Sequence, residues 1–324
     1  RPFSSCELAL ISKMDKWCET IDRGEICGSL LVDLSKAFDS IPHNLLLTEL
    51  QSIFCSTDLL SWFCSYLSDR KQRVTCNGGL TPWKVVSRGV PQGSCLSPLL
   101  FNIVVRDLPR STSSDTLQFA DDVTLTESGR TVEDLKQNLE KGFVETKHFC
   151  ESKGLTLNPS KTQFIIFKAP SKRIPEPADI SLDGTLVPAV SSVKLLGVTF
   201  DRHLTFGNHI KDTVTKCHGL LGMLRRAAPS LPTKLLKLAY IALIRSHLEY
   251  CTSLFVTAAT THRLKLEVVQ KMAARIICQA PHRAHSAPLL EILGLDSLDS
   301  RRADHVNRLV RAAWTVAVIP HFSI

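Results

Sequence analysis

Thr116-Leu117-Gln118-Phe119-Ala120-Asp121-Asp122-Val123-Thr124-Leu125-Thr126 lies in the first half of a 324-residue chain and decides how that part folds. Apolar and polar side chains alternate on both sides of a short acidic turn, the period-two pattern of a hairpin. The turn is expected at Asp121 and Asp122. Ile26 to Val32 is a short apolar run and reads as a buried strand that ends at Asp33. Carboxylates at the edge of an apolar sheet are costly unless something neutralises them. Two adjacent aspartates also repel, which raises their pKa values. A divalent cation answers both problems, because magnesium takes oxygen ligands and is commonly held by one or two carboxylates plus substrate phosphates. Taken singly, Asp33 reads as a helix cap and Asp121-Asp122 as a polar turn. Taken together they read as a site for two magnesium ions about 3.5–4 Å apart, with manganese as a substitute, suited to in-line nucleotidyl transfer.

The flanking sequence divides in two. Residues 5–22 have helical spacing, with Leu8, Ile11, Met14, Trp17 and Ile21 on about one face, and Gly24 ends the segment. Pro42 can open a helix carrying Leu45, Leu46 and Leu50, and another is expected over 57–67. Residues 70–87 read as a hairpin around Asn77-Gly78-Gly79, followed by a loop, Gly89-Val90-Pro91-Gln92-Gly93. A helix then starts at Ser97 with Pro98 in its first turn. A long amphipathic helix is expected over 131–152 and strands over 162–168 and 192–200, with a Pro-rich stretch between them that turns at Asp183-Gly184. After about residue 205 the chain reads as helical, over 207–227, 232–248, 262–278 and 298–316. The order is thus mixed α+β and then all-α, with a boundary near 203.

Charge follows the same division. Residues 202–324 carry 17 Lys and Arg against 7 Asp and Glu, whereas residues 1–201 carry 22 against 24. A basic region beside an acidic one suits a phosphate-gripping surface next to a metal-binding one. Eleven cysteines are scattered without any C-x-x-C spacing, which points to a reducing intracellular compartment, nucleus or cytoplasm. Cys278, His282 and His285 lack a fourth ligand, so zinc is not expected there. No apolar run reaches the roughly 20 residues a membrane span needs, and the N-terminus has no signal-peptide layout.

Five ordered stretches resemble the reverse transcriptases of non-LTR, LINE-type retrotransposons. Leu31 to His43 (LVDLSKAFDSIPH) resembles their motif A, and Arg88 to Phe101 (RGVPQGSCLSPLLF) their motif B. Phe119-Ala120-Asp121-Asp122 looks like motif C, with Phe where Tyr is usual. Gly154 to Thr162 looks like motif D and Lys194 to Asp201 like motif E. Residues 66–74 are similar to the stretch joining fingers and palm, and residues 238–250 and 266–277 to the thumb. The resemblance implies a right-hand polymerase: an antiparallel palm sheet with packed helices over 1–203, with partial fingers, then a basic helical thumb and C-terminal extension over 204–324.

The resemblance also implies roles. Asp33, Asp121 and Asp122 match the metal-binding carboxylates. The backbone at Leu34, Ser35, Lys36 and Ala37 would approach the second metal and the triphosphate. Phe38 stands where an aromatic ring blocks a ribose 2′-hydroxyl and so selects deoxynucleotides. Gln92 and Gly93 match the turn that contacts the incoming nucleotide and the template. Lys161 matches the lysine proposed to protonate pyrophosphate. The implied partners are an RNA template, a DNA primer and deoxynucleoside triphosphates, and the implied activity is RNA-directed DNA polymerisation.

Departures from the family pattern set further expectations. The chain starts with Arg1, and motif A begins about thirty residues in, so upstream finger segments are expected to be missing and this chain alone to be weak or inactive. Nothing resembles an N-terminal endonuclease or a C-terminal zinc knuckle. The alternative is an inactive retroelement remnant that binds nucleic acid. The Ser35–Asp39 context and the long thumb argue against telomerase, and the C-terminal resemblance favours the LINE type over a group II intron polymerase.

Overall fold

The seven residues Ile26–Val32 form β1, the middle strand of a five-stranded sheet in which all but Leu31 are buried. Burial on both faces explains why the run does not alternate. The one buried polar side chain on the strand, Ser29, is satisfied by Thr126 at 3.0 Å between their hydroxyl oxygens. The other strands are β2 (Asp115–Phe119), β3 (Asp122–Gly129), β4 (Gln163–Phe167) and β5 (Ala189–Val190), in the order β5-β4-β1-β3-β2. All neighbours are antiparallel except β4 and β5. This is a computed structural model that describes residues 5–318 apart from 55, 77, 92 and 175–177.

The helix Val132–Ser152 packs on this sheet. Thr131 caps it: its hydroxyl accepts from the Asp134 N–H at 3.1 Å, and the Asp134 carboxylate accepts from the Thr131 N–H at 3.3 Å. Its expected stripe, Val132, Leu135, Leu139 and Phe143, is buried. Each such side chain contributes roughly 1.5–3 kcal/mol relative to exposure, set against an ordering cost of about 1–2 kcal/mol per residue of backbone.

The chain forms two compact units, Trp17–Ser191, which holds the sheet, and Arg1–Lys16 with Ser192–Ile324. In the second, helices cover Gly207–Ala227, Thr260–Ile277 and Leu298–Val318. The expected helix over 232–248 is realised as Thr233–Ala239 and Ser246–Leu248 joined through a wider π-turn at Tyr240–Arg245. Tyr240 is buried there, and its hydroxyl donates to Gln270 Oε1 at 2.7 Å. A short helix, Ser286–Ile292, was not foreseen.

Two expectations are corrected. Residues 192–200 are not one strand but a hairpin, Ser192–Leu195 paired with Val198–Asp201. Leu196 and Gly197 both take positive φ, 44° and 84°, the pattern of a type I′ turn. The acidic turn is displaced by one residue: Phe119 pairs with Asp122, so Ala120 and Asp121 are the turn and Asp122 opens β3. Ala120 has φ 54° and Asp121 does not share the sign, which is the type II′ pattern. The 70–87 hairpin is present as two short ladders, Lys71–Gln72 with Lys84–Val85 and Thr75–Cys76 with Gly79–Leu80, while Asn77 lies outside the described residues.

Candidate active site

The register of β1 and β3 brings Asp33 and Asp122 to the same end of the sheet. Val32 pairs with Val123, the last rung of the ladder. One step further along both strands lie Asp33 and Asp122, the tight turn puts Asp121 next to Asp122, and the charges of both other aspartates act on Asp122. Burial, and then the charges of Asp121 and Asp33, push the Asp122 carboxyl above its ordinary value. Mutual repulsion was expected at this position; partial burial is the larger cause. None of the three carboxylates has a cationic partner among the described residues.

Among the described residues, no group of three or more His, Cys, Asp and Glu side chains is arranged to close a metal site unaided. Magnesium does not require one, since it keeps waters and takes substrate oxygens alongside one or two carboxylates. Three carboxylates, one of them with its carboxyl pushed above its ordinary value, are a donor set that fits hard divalent cations.

The segment after Asp33 is held from two sides. Leu34 and Ser35 pair with Leu157 and Thr156. The Asp33 carbonyl accepts from the Asn158 N–H at 2.9 Å, and the Asn158 carbonyl accepts in turn from the Lys161 N–H at 3.1 Å. Exposed Lys161 thus sits on a single 3₁₀ turn, Pro159–Lys161, suspended from the backbone of Asp33. Lys36 takes a left-handed conformation, φ 48°, and starts the one-turn helix Ala37–Ser40, in which Ala37 is buried.

Phe38 is half-buried and stacks on Phe101 with ring centroids 4.5 Å apart. Its carbonyl accepts from the Val90 N–H at 2.7 Å, and the Ile41 carbonyl accepts from the Gly89 N–H at 2.7 Å. His43 Nε2 lies 2.8 Å from the Gly89 carbonyl. Gly89 has φ 86°, and a Cβ there would come within 2.8 Å of the Asp39 Cα, so only glycine fits. These bonds join the chain around Phe38 to the loop that leads into Gly93, which has φ 81° and open space where a Cβ would point. Gln92 lies outside the described residues. His43, Gly89 and Asn158 were inside the quoted motifs but had no assigned role; their contribution is backbone lacing between distant segments, which side-chain chemistry does not announce.

Residues 9–200 match the family described as reverse transcriptase (RNA-dependent DNA polymerase). The chain is 26% identical over 301 residues to the probable RNA-directed DNA polymerase from transposon BS of Drosophila melanogaster, covering 90% of this chain and 33% of that protein. It is 27% identical over 278 residues to the RNA-directed DNA polymerase from mobile element jockey of Drosophila funebris, covering 81% of this chain and 30% of that one. The chain spans about a third of the length of these curated relatives. Among solved structures, apo telomerase from Candida tropicalis aligns with 85% of this chain and 46% of its own at 12% identity and a TM-score of 0.48.

Proposed function

Since this chain belongs to the reverse transcriptase (RNA-dependent DNA polymerase) family, in its non-LTR retrotransposon branch, we propose that it copies an RNA template into DNA by adding deoxynucleotides to a primer 3′-hydroxyl. The observation that carries this is the β1–β3 register that sets Asp33 against Asp122 with Asp121 beside them. Asp33, Asp121 and Asp122 would hold two divalent ions, magnesium by their hard oxygen donors, which when bound activate the attacking 3′-oxygen and steady the leaving pyrophosphate.

The chain's own residues supply the rest. The backbone from Leu34 to Ala37 lies on the strand extension and short turn directly after Asp33, where a triphosphate would reach. The Phe38 ring, braced by Phe101, stands as a wall against a 2′-hydroxyl. Gln92 and Gly93 would contact the nucleotide and the template, with Gly93 leaving room for close approach. Lys161 offers a proton to pyrophosphate, as an ammonium near a leaving phosphate can. In this reading residues 1–203 are the palm with partial fingers and residues 204–324 the thumb and C-terminal extension. Two facts support that division: every strand among the described residues ends by Asp201, and residues 202–324 carry 17 basic against 7 acidic side chains. Such a surface grips duplex phosphates without reading sequence. Among the described residues no helix is long and apolar enough to cross a membrane, and the expected setting is nuclear or cytoplasmic.

The test is extension of a DNA primer on an RNA template with magnesium and deoxynucleotides, comparing the chain with its Asp121→Asn, Asp122→Asn variant. Extension by the first and not by the second is the expected result. If neither extends although both are folded and bind duplex, the chain is a nucleic-acid-binding remnant.

A further inference from the structure

The hairpin over 70–88 is exposed on both faces, unlike the sheet it accompanies. Its four short strands carry only exposed residues. Val74 is 62%, Trp83 59% and Val85 72% exposed. An isolated two-stranded hairpin is marginal in water, so these side chains are not explained by the stability of the hairpin itself.

Its charge is one-sided. Arg70, Lys71, Arg73, Lys84 and Arg88 are opposed only by Asp69. Lys71, Arg73 and Lys84 have no acidic partner among the described residues. Because Gln72 pairs with Lys84 in an antiparallel ladder, the next residue, Arg73, faces Trp83, and its guanidinium lies 4.5 Å from the centre of the indole.

A second set of planar groups adjoins it. On the helix Thr57–Leu67, exposed Trp62 and partly buried Tyr66 lie nearly parallel, 8° apart, with centroids 5.3 Å apart. The Arg70 guanidinium lies 5.5 Å from the Tyr66 ring centre. The Tyr66 hydroxyl donates to Ser94 Oγ at 2.8 Å, one residue beyond Gly93. The stack therefore begins on the open surface at Trp62 and ends against the loop assigned to nucleotide and template.

We propose that Trp83 with Arg73, and the Trp62–Tyr66–Arg70 stack, form a track for single-stranded RNA. Unpaired bases stack on the indoles while Lys71, Arg73 and Lys84 hold phosphates. Exposed aromatic faces interleaved with unneutralised cations suit an unpaired strand, because every base presents a π-face whatever its sequence. A duplex would use the cations and leave the indoles idle. The identity of the strand as template ahead of the site rests on the polymerase reading; its binding does not.

The test measures fluorescence anisotropy of labelled oligouridylate and of an RNA–DNA duplex, at several salt concentrations, with the full chain. Trp83→Ala should weaken single-strand binding about tenfold and leave duplex binding within about twofold, and Trp83→Phe should restore most of the loss. Lys71→Gln, Arg73→Gln, Lys84→Gln should reduce the salt slope for the single strand by about 2. If these variants, shown to be folded by circular dichroism, bind the single strand as the parent does, or lose single strand and duplex equally, the proposal fails and the face is a packing surface for protein. Primer extension separates the two readings. Trp83-dependent RNA binding without extension by the parent chain overturns the polymerase and keeps the track; extension with Trp83-independent binding does the reverse.

Discussion

Carboxylates meet opposite fates in the two compact units. In the unit Arg1–Lys16 with Ser192–Ile324, half-buried or buried acids are answered by the protein itself. Glu7 accepts from the Ser253 N–H at 3.1 Å and hydroxyl at 2.6 Å and lies 2.8 Å from His305 Nε2. Glu249 is forked by Arg301, and Glu267 accepts from the Asp299 N–H at 3.0 Å. Asp201 accepts from the N–H groups of His203, Thr205 and Phe206 and so closes the turn that leads into the helix Gly207–Ala227. In the unit Trp17–Ser191, Asp33, Asp121 and Asp122 converge with no such answer, although Glu49 nearby in sequence is paired with Lys153 and Arg106. The acidic strand end is therefore not a failure of the fold to satisfy its charges. Partners are built elsewhere and not here, as the proposed site for an external cation would require.

The largest expected effect probes the lacing that holds the acidic end in shape. Gly89→Ala forces a Cβ to within 2.8 Å of the Asp39 Cα at φ 86°, and should cost about 3 kcal/mol in urea unfolding. The other unit supplies the contrast. Gly219, in mid-helix with nothing within 4 Å of an added Cβ, should gain about 0.5–1 kcal/mol on change to Ala. Equal effects of both substitutions would erase the distinction.

Phe38→Val keeps an apolar side chain on Phe101 but removes the ring. Discrimination against ribonucleotides in single-nucleotide extension should fall about a hundredfold. Unchanged discrimination would make Phe38 a packing residue only.

Glu7 supplies the pH test. Burial pushes its carboxyl up, but hydrogen bonds from Ser253 and His305, and the charge of His305, outweigh that and hold it below its ordinary value. A depressed folded pKa contributes stability above the ordinary carboxylate range and loses it as pH falls through the folded value. Glu7→Gln should therefore cost about 2 kcal/mol at neutral pH, and the gap between variant and parent should close in acid. A gap that stays constant with pH would assign Glu7 a packing role instead.

The sequence carried much of this wherever one segment decides its own structure. The helices Thr57–Leu67 and Gly207–Ala227 and the strand Ile26–Val32 lie where apolar spacing puts them. It was silent where distant segments decide. Leu196 in a left-handed conformation runs against its propensity, so the hairpin around it looked like one strand. Ala120 likewise takes φ 54°, which moves the turn off Asp122. The short helix Ser286–Ile292 was obscured by Pro288, which sits harmlessly in its first turn. Of the site, the three aspartates were legible as chemistry. Their convergence needed the pairing of Val32 with Val123, which no local pattern encodes.

Asp122, whose carboxyl burial and the charges of Asp121 and Asp33 push above its ordinary value, is proposed as a ligand for a cation and not as a partner in the fold. The most direct measurement is the unfolding free energy of Asp122→Asn against the parent chain at neutral pH in EDTA, with primer extension measured on the same preparations in magnesium. The variant should be slightly more stable, by about 0.5 kcal/mol, and unable to extend. A variant that is less stable would contradict it, because the carboxylate would then be a partner in the fold rather than a ligand withheld for a metal.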